Sequence, residues 1–205
     1  VIWLNFGQFQ ATIEALKQEN VTYVVMAGQI TPTNLFYLRP DYKAIELLSK
    51  LKIKNAHTIF GTVANELQKY GFHLLPAHIF MEHTMPEPGV LTIKQPTETE
   101  LEDVKLGFKV AKVISGLGIG QTVVVKDGVI LAVEAFEGTD ATILRASKLG
   151  NFDIIVVKVA QKGHDMRFDI PVVGLRTIKV LKEARAKVLA VEAKKTIILE
   201  KDKVI

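Results

Sequence analysis

Between Val123 and Pro171, two apolar, strand-like stretches each run out into a cluster of acids. The first, Val123-Val124-Val125 continued by Val129-Ile130-Leu131-Ala132-Val133, ends in Glu134-Ala135-Phe136-Glu137-Gly138-Thr139-Asp140. The second, Ile154-Ile155-Val156-Val157-Lys158-Val159, leads to Gly163-His164-Asp165-Met166-Arg167-Phe168-Asp169-Ile170-Pro171. Carboxylates gathered at strand exits, with glycine to let the backbone approach and Lys158 or Arg167 nearby, suit a divalent metal holding a phosphate.

Each cluster also has a plainer reading. Thr139 or Asp140 could simply cap the helix expected from about Ala141, whose free amides need an oxygen acceptor. Glu134 is harder to explain away, because it lies against an apolar run and is costly to bury without a partner. In the second cluster an extended backbone would put Asp165, Arg167 and Asp169 on one face. That face could hold a hard cation and a phosphate oxygen, or be an Asp–Arg–Asp ladder facing solvent. Separate Arg or Lys partners for each acid would favour a non-catalytic binding module that holds a nucleotide or anionic metabolite. Clustered carboxylates would favour an enzyme.

The surrounding pattern is α/β. Val1 to Phe6 and Val21 to Ala27 read as strands, the latter an apolar run without alternation, as in parallel strands covered on both faces. Helices are expected from Phe9 to near Glu19-Asn20, over Asp41 to Lys50 and over Thr58 to Tyr70, with a short strand from Phe72 to Pro76. Met85-Pro86-Glu87-Pro88-Gly89 breaks the chain. Thr97 and Glu100 then stand at capping-box spacing before a helix over about 98–115. Asp127-Gly128 predicts a two-residue hairpin. Strands follow at 153–159, 188–192 and 196–200, with a helix over about 175–186. We therefore expect an N-terminal parallel α/β domain, Rossmann-like and truncated, over 1–88, a linker over 89–97, and a C-terminal mixed α/β domain over 98–205. The opening Val1-Ile2-Trp3-Leu4-Asn5-Phe6-Gly7 reads as a strand entered midway, so roughly 60 upstream residues are expected to be missing on domain-size grounds.

Gly116 to Gly120 follows a helix and precedes a strand, the reverse of a dinucleotide loop, and reads as a helix stop. Gly7-Gln8 and Gly28-Gln29 are turns at strand exits, where open α/β sheets bind ligands. With Arg39, which could grip phosphate, Gly7, Gln8 and Gly28 make a weaker nucleotide-side set. The five histidines lack the paired spacing of a zinc site. Zero cysteines exclude disulfides and thiolate metal sites. A net charge of +4 without a long basic run, and no paired aromatic platform, argue against nucleic acid. The longest apolar runs fall far short of the roughly 20 residues of a membrane span.

Gly120-Gln121-Thr122-Val123-Val124-Val125, Val133-Glu134-Ala135-Phe136-Glu137-Gly138-Thr139-Asp140-Ala141, Val157-Lys158-Val159 and Asp165-Met166-Arg167-Phe168-Asp169-Ile170-Pro171 together resemble the UDP-2,3-diacylglucosamine pyrophosphatase family of lipid A biosynthesis. Trp3-Leu4-Asn5-Phe6-Gly7-Gln8, Val25-Met26-Ala27-Gly28, Leu38-Arg39-Pro40-Asp41 and Gly89-Val90-Leu91-Thr92 match its pattern in the same order, so the similarity covers nearly the whole chain. The resemblance implies a two-domain enzyme that hydrolyses UDP-2,3-diacylglucosamine to lipid X and UMP with a divalent cation, Mg2+ or alternatively Mn2+. It implies Asp165 and Asp169 as catalytic acids, Glu134, Glu137 and Asp140 as metal ligands, and Lys158, Arg167 and Thr139 as phosphate partners. It further implies a cytoplasmic protein that meets its UDP-linked diacylated glucosamine transiently at the inner-membrane surface, with a homodimer left open. The chain departs from the family pattern in its missing start and in ending soon after its last strand.

Overall fold

The computed structural model describes residues 1–5, 7–28, 39–52, 56–161, 163–168 and 170–205, with only the backbone for Ala56 and His57. The chain divides into two α/β units, Val1–Ile79 with Asp165–Asp169, and Phe80–His164 with Ile170–Ile205.

The first unit contains α1 (Phe9–Gln18), β1 (Tyr23–Val24), α2 (Tyr42–Ser49), α3 (Ala56–Lys69) and β2 (His73–Leu74). Strands β1 and β2 pair in parallel. The helical spacing of Phe9, Ile13, Ala44, Leu47 and Leu67 turns those side chains inward, where they form one core with Phe72. Two expectations change here. Residues 1–5 carry no regular structure, and Phe6 lies outside the described residues; an extended segment becomes a strand only when a neighbour pairs with its amides. The expected strand over 21–27 shrinks to two residues, and it is not covered on both faces, since Tyr23 is 64% exposed.

In the second unit the linker gives way to α4 (Glu98–Gly116), which starts on the predicted capping box: Thr97 N donates to Glu100 Oε2 at 2.7 Å and Glu100 N to Thr97 Oγ1 at 3.3 Å. After it come β3 (Thr122–Lys126), β4 (Val129–Val133), α5 (Thr139–Gly150), β5 (Ile154–Lys158), β6 (Val172–Val173), α6 (Leu175–Glu183), β7 (Ala186–Val191), β8 (Ile197–Ile198) and α7 (Lys201–Val204). The hairpin turn has positive φ at both Asp127 (49°) and Gly128 (78°), the primed geometry that matches strand twist. Asp103 Oδ1 of α4 ties it down by accepting from Gly128 N at 2.7 Å.

The main sheet has the order β4-β3-β5-β7, with β5 and β7 parallel and the other pairs antiparallel. Val123, Val125, Ile155 and Val157 pack towards Ala111 and Ile114 of α4. Val124, Ile154 and Val156 pack on the opposite side with Ile143 and Ala146 of α5 and Leu181 of α6. Both faces are covered, which is why the strands read as unbroken valine and isoleucine. Each of the buried Val, Ile and Leu side chains contributes about 1.5–3 kcal/mol relative to exposure. Helix α4 comes close to the sheet through Gly107, where a Cβ would stand 2.7 Å from Val157 Cγ2. Strands β7 and β8 are neighbours in sequence but lie in different sheets, because β8 pairs in parallel with β6.

The segment after Gly163 also departs from expectation. It is a turn, not an extended ladder: Phe168 N donates to Asp165 O at 3.2 Å and Arg167 N to Asp165 Oδ1 at 3.0 Å. An aspartate that accepts from the amide two residues on offers the backbone a local alternative to strand pairing.

Candidate active site

The register of the main sheet decides which side chains meet. Lys158, the last residue of β5, lies opposite Thr122, the first residue of β3, and Val123 lies opposite Val133 at the end of β4. One sheet edge therefore collects Lys158, Thr122, Glu134 and the start of α5. It is the carboxyl end of the parallel pair β5–β7, the edge at which α/β sheets bind ligands.

A hydrogen-bonded cluster is built there. Glu134 is 9% exposed and Thr122 fully buried. Thr139 Oγ1 donates to Glu134 Oε1 at 2.9 Å, and Gln121 N donates to Glu134 Oε2 at 3.2 Å. Lys158 Nζ donates to Thr139 Oγ1 at 3.0 Å. A hydroxyl has one proton to give. With Thr139's directed at Glu134, the 3.3 Å contact with Thr122 Oγ1 has Thr122 as donor. Gly120 has no side chain because the Glu134 carbonyl fills the space, 2.1 Å from where its Cβ would be. The demand for a partner for Glu134 is thus met by a hydroxyl and an amide. Thr139 is the first residue of α5 and not its cap; that place is taken by Gly138 at φ 84°.

The other two candidate acids of this unit, Glu137 and Asp140, each hold an arginine. Arg145 Nη2 donates to Glu137 Oε1 at 2.6 Å, and Ala135 N donates to Glu137 Oε2 at 3.1 Å. The Arg145 guanidinium holds the Glu137 carboxyl below the usual carboxylate range. Asp140 Oδ2 accepts from Arg176 Nε at 2.8 Å, a partner that is itself 85% exposed. Among the described residues no three His, Asp or Glu side chains come together as a ready cage for a metal ion.

The first unit carries the remaining candidates. Asp165 and Arg167 face each other in a two-pronged pair, Nη2 to Oδ2 at 2.7 Å and Nε to Oδ1 at 3.0 Å. Asp169 lies outside the described residues. The turn is anchored by Ala77 N donating to Met166 O at 2.8 Å and by Phe168 against Phe60, ring centroids 6.0 Å apart.

Gly7, at φ 95°, accepts from Asp41 N at 3.2 Å, which brings its turn against Arg39 and Pro40. Gln8 precedes α1 without capping it by its side chain. Asp41 does the capping for two helices, taking Ala44 N of α2 at 2.8 Å and Gln10 N of α1 at 2.7 Å. An anion at the start of α1 would compete with that carboxylate for the same amide. Gly28 stands exposed at φ 116°, with Gln29 beyond it outside the described residues.

Sequence comparison places these elements in one family. Residues 1–84 match the LpxI N-terminal domain and residues 87–205 the LpxI C-terminal domain. The chain belongs to the LpxI family. A protein of Caulobacter vibrioides named UDP-2,3-diacylglucosamine pyrophosphatase LpxI is 30% identical over 214 residues, covering 98% of this chain and 76% of that protein. The two LpxI domain matches meet between residues 84 and 87, at the proline-rich break.

Two residues of the same sheet edge carry no acidic-cluster or glycine signal in the sequence. Lys112 of α4 and Glu192, just beyond β7, are joined at 2.9 Å, 80 positions apart. Only the fold brings them together.

Proposed function

We propose that this chain hydrolyses the pyrophosphate bond of UDP-2,3-diacylglucosamine, giving 2,3-diacylglucosamine 1-phosphate and UMP. The observation that carries the reading is identity at 30% over 98% of the chain with a protein named for that activity. The sheet edge supports it with an ammonium, Lys158, set among hydroxyls at the carboxyl end of the parallel strands.

Lys158 supplies a point charge to a pyrophosphate oxygen. Glu134 is proposed as the group that orients Thr139, so that the hydroxyl oxygen faces the ammonium. Asp165 is proposed as the carboxylate that orients and deprotonates the attacking water. Arg167 holds that carboxylate in place through its two-pronged pair. Asp169 is the second proposed acid.

The described acids do not form an all-protein cage, but they suit magnesium in its usual mode, on substrate phosphates with one or two carboxylates. Glu137 and Asp140 are the proposed carboxylates, since the ion pairs they now make with Arg145 and Arg176 are partly exposed and cheap to open. The cation would neutralise pyrophosphate charge and lower the pKa of bound water. The acyl chains of the substrate put the reaction at the inner-membrane surface of the cytoplasm, reached from the water side.

The separate arginine partners of Glu137, Asp140 and Asp165 favour a second reading, a module that binds a nucleotide or anionic metabolite without turning it over. Incubation with UDP-2,3-diacylglucosamine, with and without magnesium or manganese, decides. Metal-dependent release of UMP together with the 1-phosphate is expected. A folded, metal-loaded sample that binds the substrate and releases neither product would leave the binding module.

A further inference from the structure

The carboxyl end of β5 is gripped from two sides. Lys112 Nζ, from α4, donates to Ala160 O at 2.9 Å. Glu192 Oε2, from the exit of β7, accepts Ala160 N at 3.0 Å and the Lys112 ammonium at 2.9 Å. Glu192 N donates to Lys158 O at 3.2 Å, and Val159 N donates to Gln121 O at 2.9 Å. Both polar groups of the Ala160 backbone are thus satisfied by one ion pair, at a residue with no solvent exposure. Glu192 has a side-chain exposure of 12% and Lys112 of 24%. Burial works to raise the Glu192 carboxyl, and donation from Lys195 and Lys112 outweighs it, leaving the group ionised below the usual carboxylate range.

A backbone that has passed the end of its strand ladder would normally be free to pivot. Here the last ladder residue and the second residue after it are both held by Glu192, one through its amide and one through its carboxylate. The residue so fixed is Lys158, whose ammonium must reach Thr139. A buried pair is weak evidence for a contribution to stability, because desolvation offsets its attraction. Its geometric effect is better founded.

We infer that Lys112 and Glu192 are positioning residues for Lys158: they fix the exit of β5 so that the ammonium stands where a pyrophosphate oxygen binds. This rests on the proposed role of Lys158 in pyrophosphate binding. An error of about 1 Å in placing such a group costs on the order of 100-fold in rate.

The test is a double-mutant cycle between Glu192→Ala and Lys158→Met, read by UMP release and by calorimetric binding of inorganic pyrophosphate with magnesium. Glu192→Ala alone is expected to lower kcat by roughly 10- to 100-fold and to weaken pyrophosphate binding. In the Lys158→Met background it is expected to change neither further, since coupled groups are not additive. Lys112→Arg, which keeps a cation at Ala160 O, should recover most of what Lys112→Ala loses. Equal losses from Glu192→Ala in both backgrounds would show a general structural role and overturn the inference. So would full activity of a folded Glu192→Ala protein. If the wild type binds pyrophosphate but releases no UMP, the hydrolase reading fails alone and the binding arm still decides the cycle. A wild type that binds no pyrophosphate removes the positioning role as well.

Discussion

The hydroxyl of Thr139 donates to the buried carboxylate of Glu134 at 2.9 Å, and that bond sets which way the threonine oxygen can accept. Thr139→Val keeps the shape and deletes the donor. It should cost about 1–3 kcal/mol, the usual penalty for leaving a buried acceptor short of a partner, and also lower turnover. Thr139→Ser should restore both. Urea unfolding and UMP release on the same preparations check it.

Asp165 is expected to matter for rate and little for folding, since its pair with Arg167 is partly exposed, at 28% and 30%. Asp165→Ala, and likewise Asp169→Ala, should reduce turnover by about 100-fold or more with little change in the unfolding midpoint. Wild-type rates in both variants would remove both acids from the site.

Chelation should abolish UMP release, and added magnesium should restore it. Glu137→Gln and Asp140→Asn should each raise the magnesium concentration needed for half-maximal rate, by roughly tenfold or more. An unchanged metal titration in both variants would exclude these carboxylates as its ligands.

Glu66 makes a pH prediction for the first unit. It is 6% exposed and bonds to Lys69 at 2.8 Å and Lys43 at 3.0 Å. Lys69 first, with Lys43 reinforcing it against desolvation, lowers its pKa from the ordinary 4.5. A carboxylate with a depressed folded pKa adds stability that is fully present above its unfolded pKa and lost as pH falls through the folded one. Wild type should therefore lose stability on acidification below about pH 4.5, and Glu66→Gln should lose less. Chemical denaturation at neutral and acid pH measures the difference.

Local signals in the sequence carry through to the fold. The Thr97–Glu100 capping box and the Asp127-Gly128 turn depend on residues within four positions of one another, and both formed. The valine and isoleucine runs were legible as strands, but burial on both faces, expected at 21–27, is found instead in the sheet of the second unit. Readings failed where a side chain chose a partner that local pattern does not specify. Thr139 looked like a helix cap and instead turned sideways to Glu134. Alternation put Asp165 and Arg167 on one strand face, whereas the aspartate captured the amide two residues on and made a turn. Asp41 was legible as a helix start, but not as the cap of a second helix 31 positions away. The Lys112–Glu192 pair had no signal, since only the β5–β7 crossover brings it into being.

The first unit is discontinuous in sequence, made of Val1–Ile79 and the short return at Asp165–Asp169. That return supplies Phe168, 2% exposed against Phe60, and the carbonyl that receives Ala77 N. A ribosome adding roughly 5–20 residues per second emits the first stretch many seconds before the return emerges. During that interval the nascent unit holds an open apolar seat for Phe168, and its completion has to wait for most of the second unit to be synthesised.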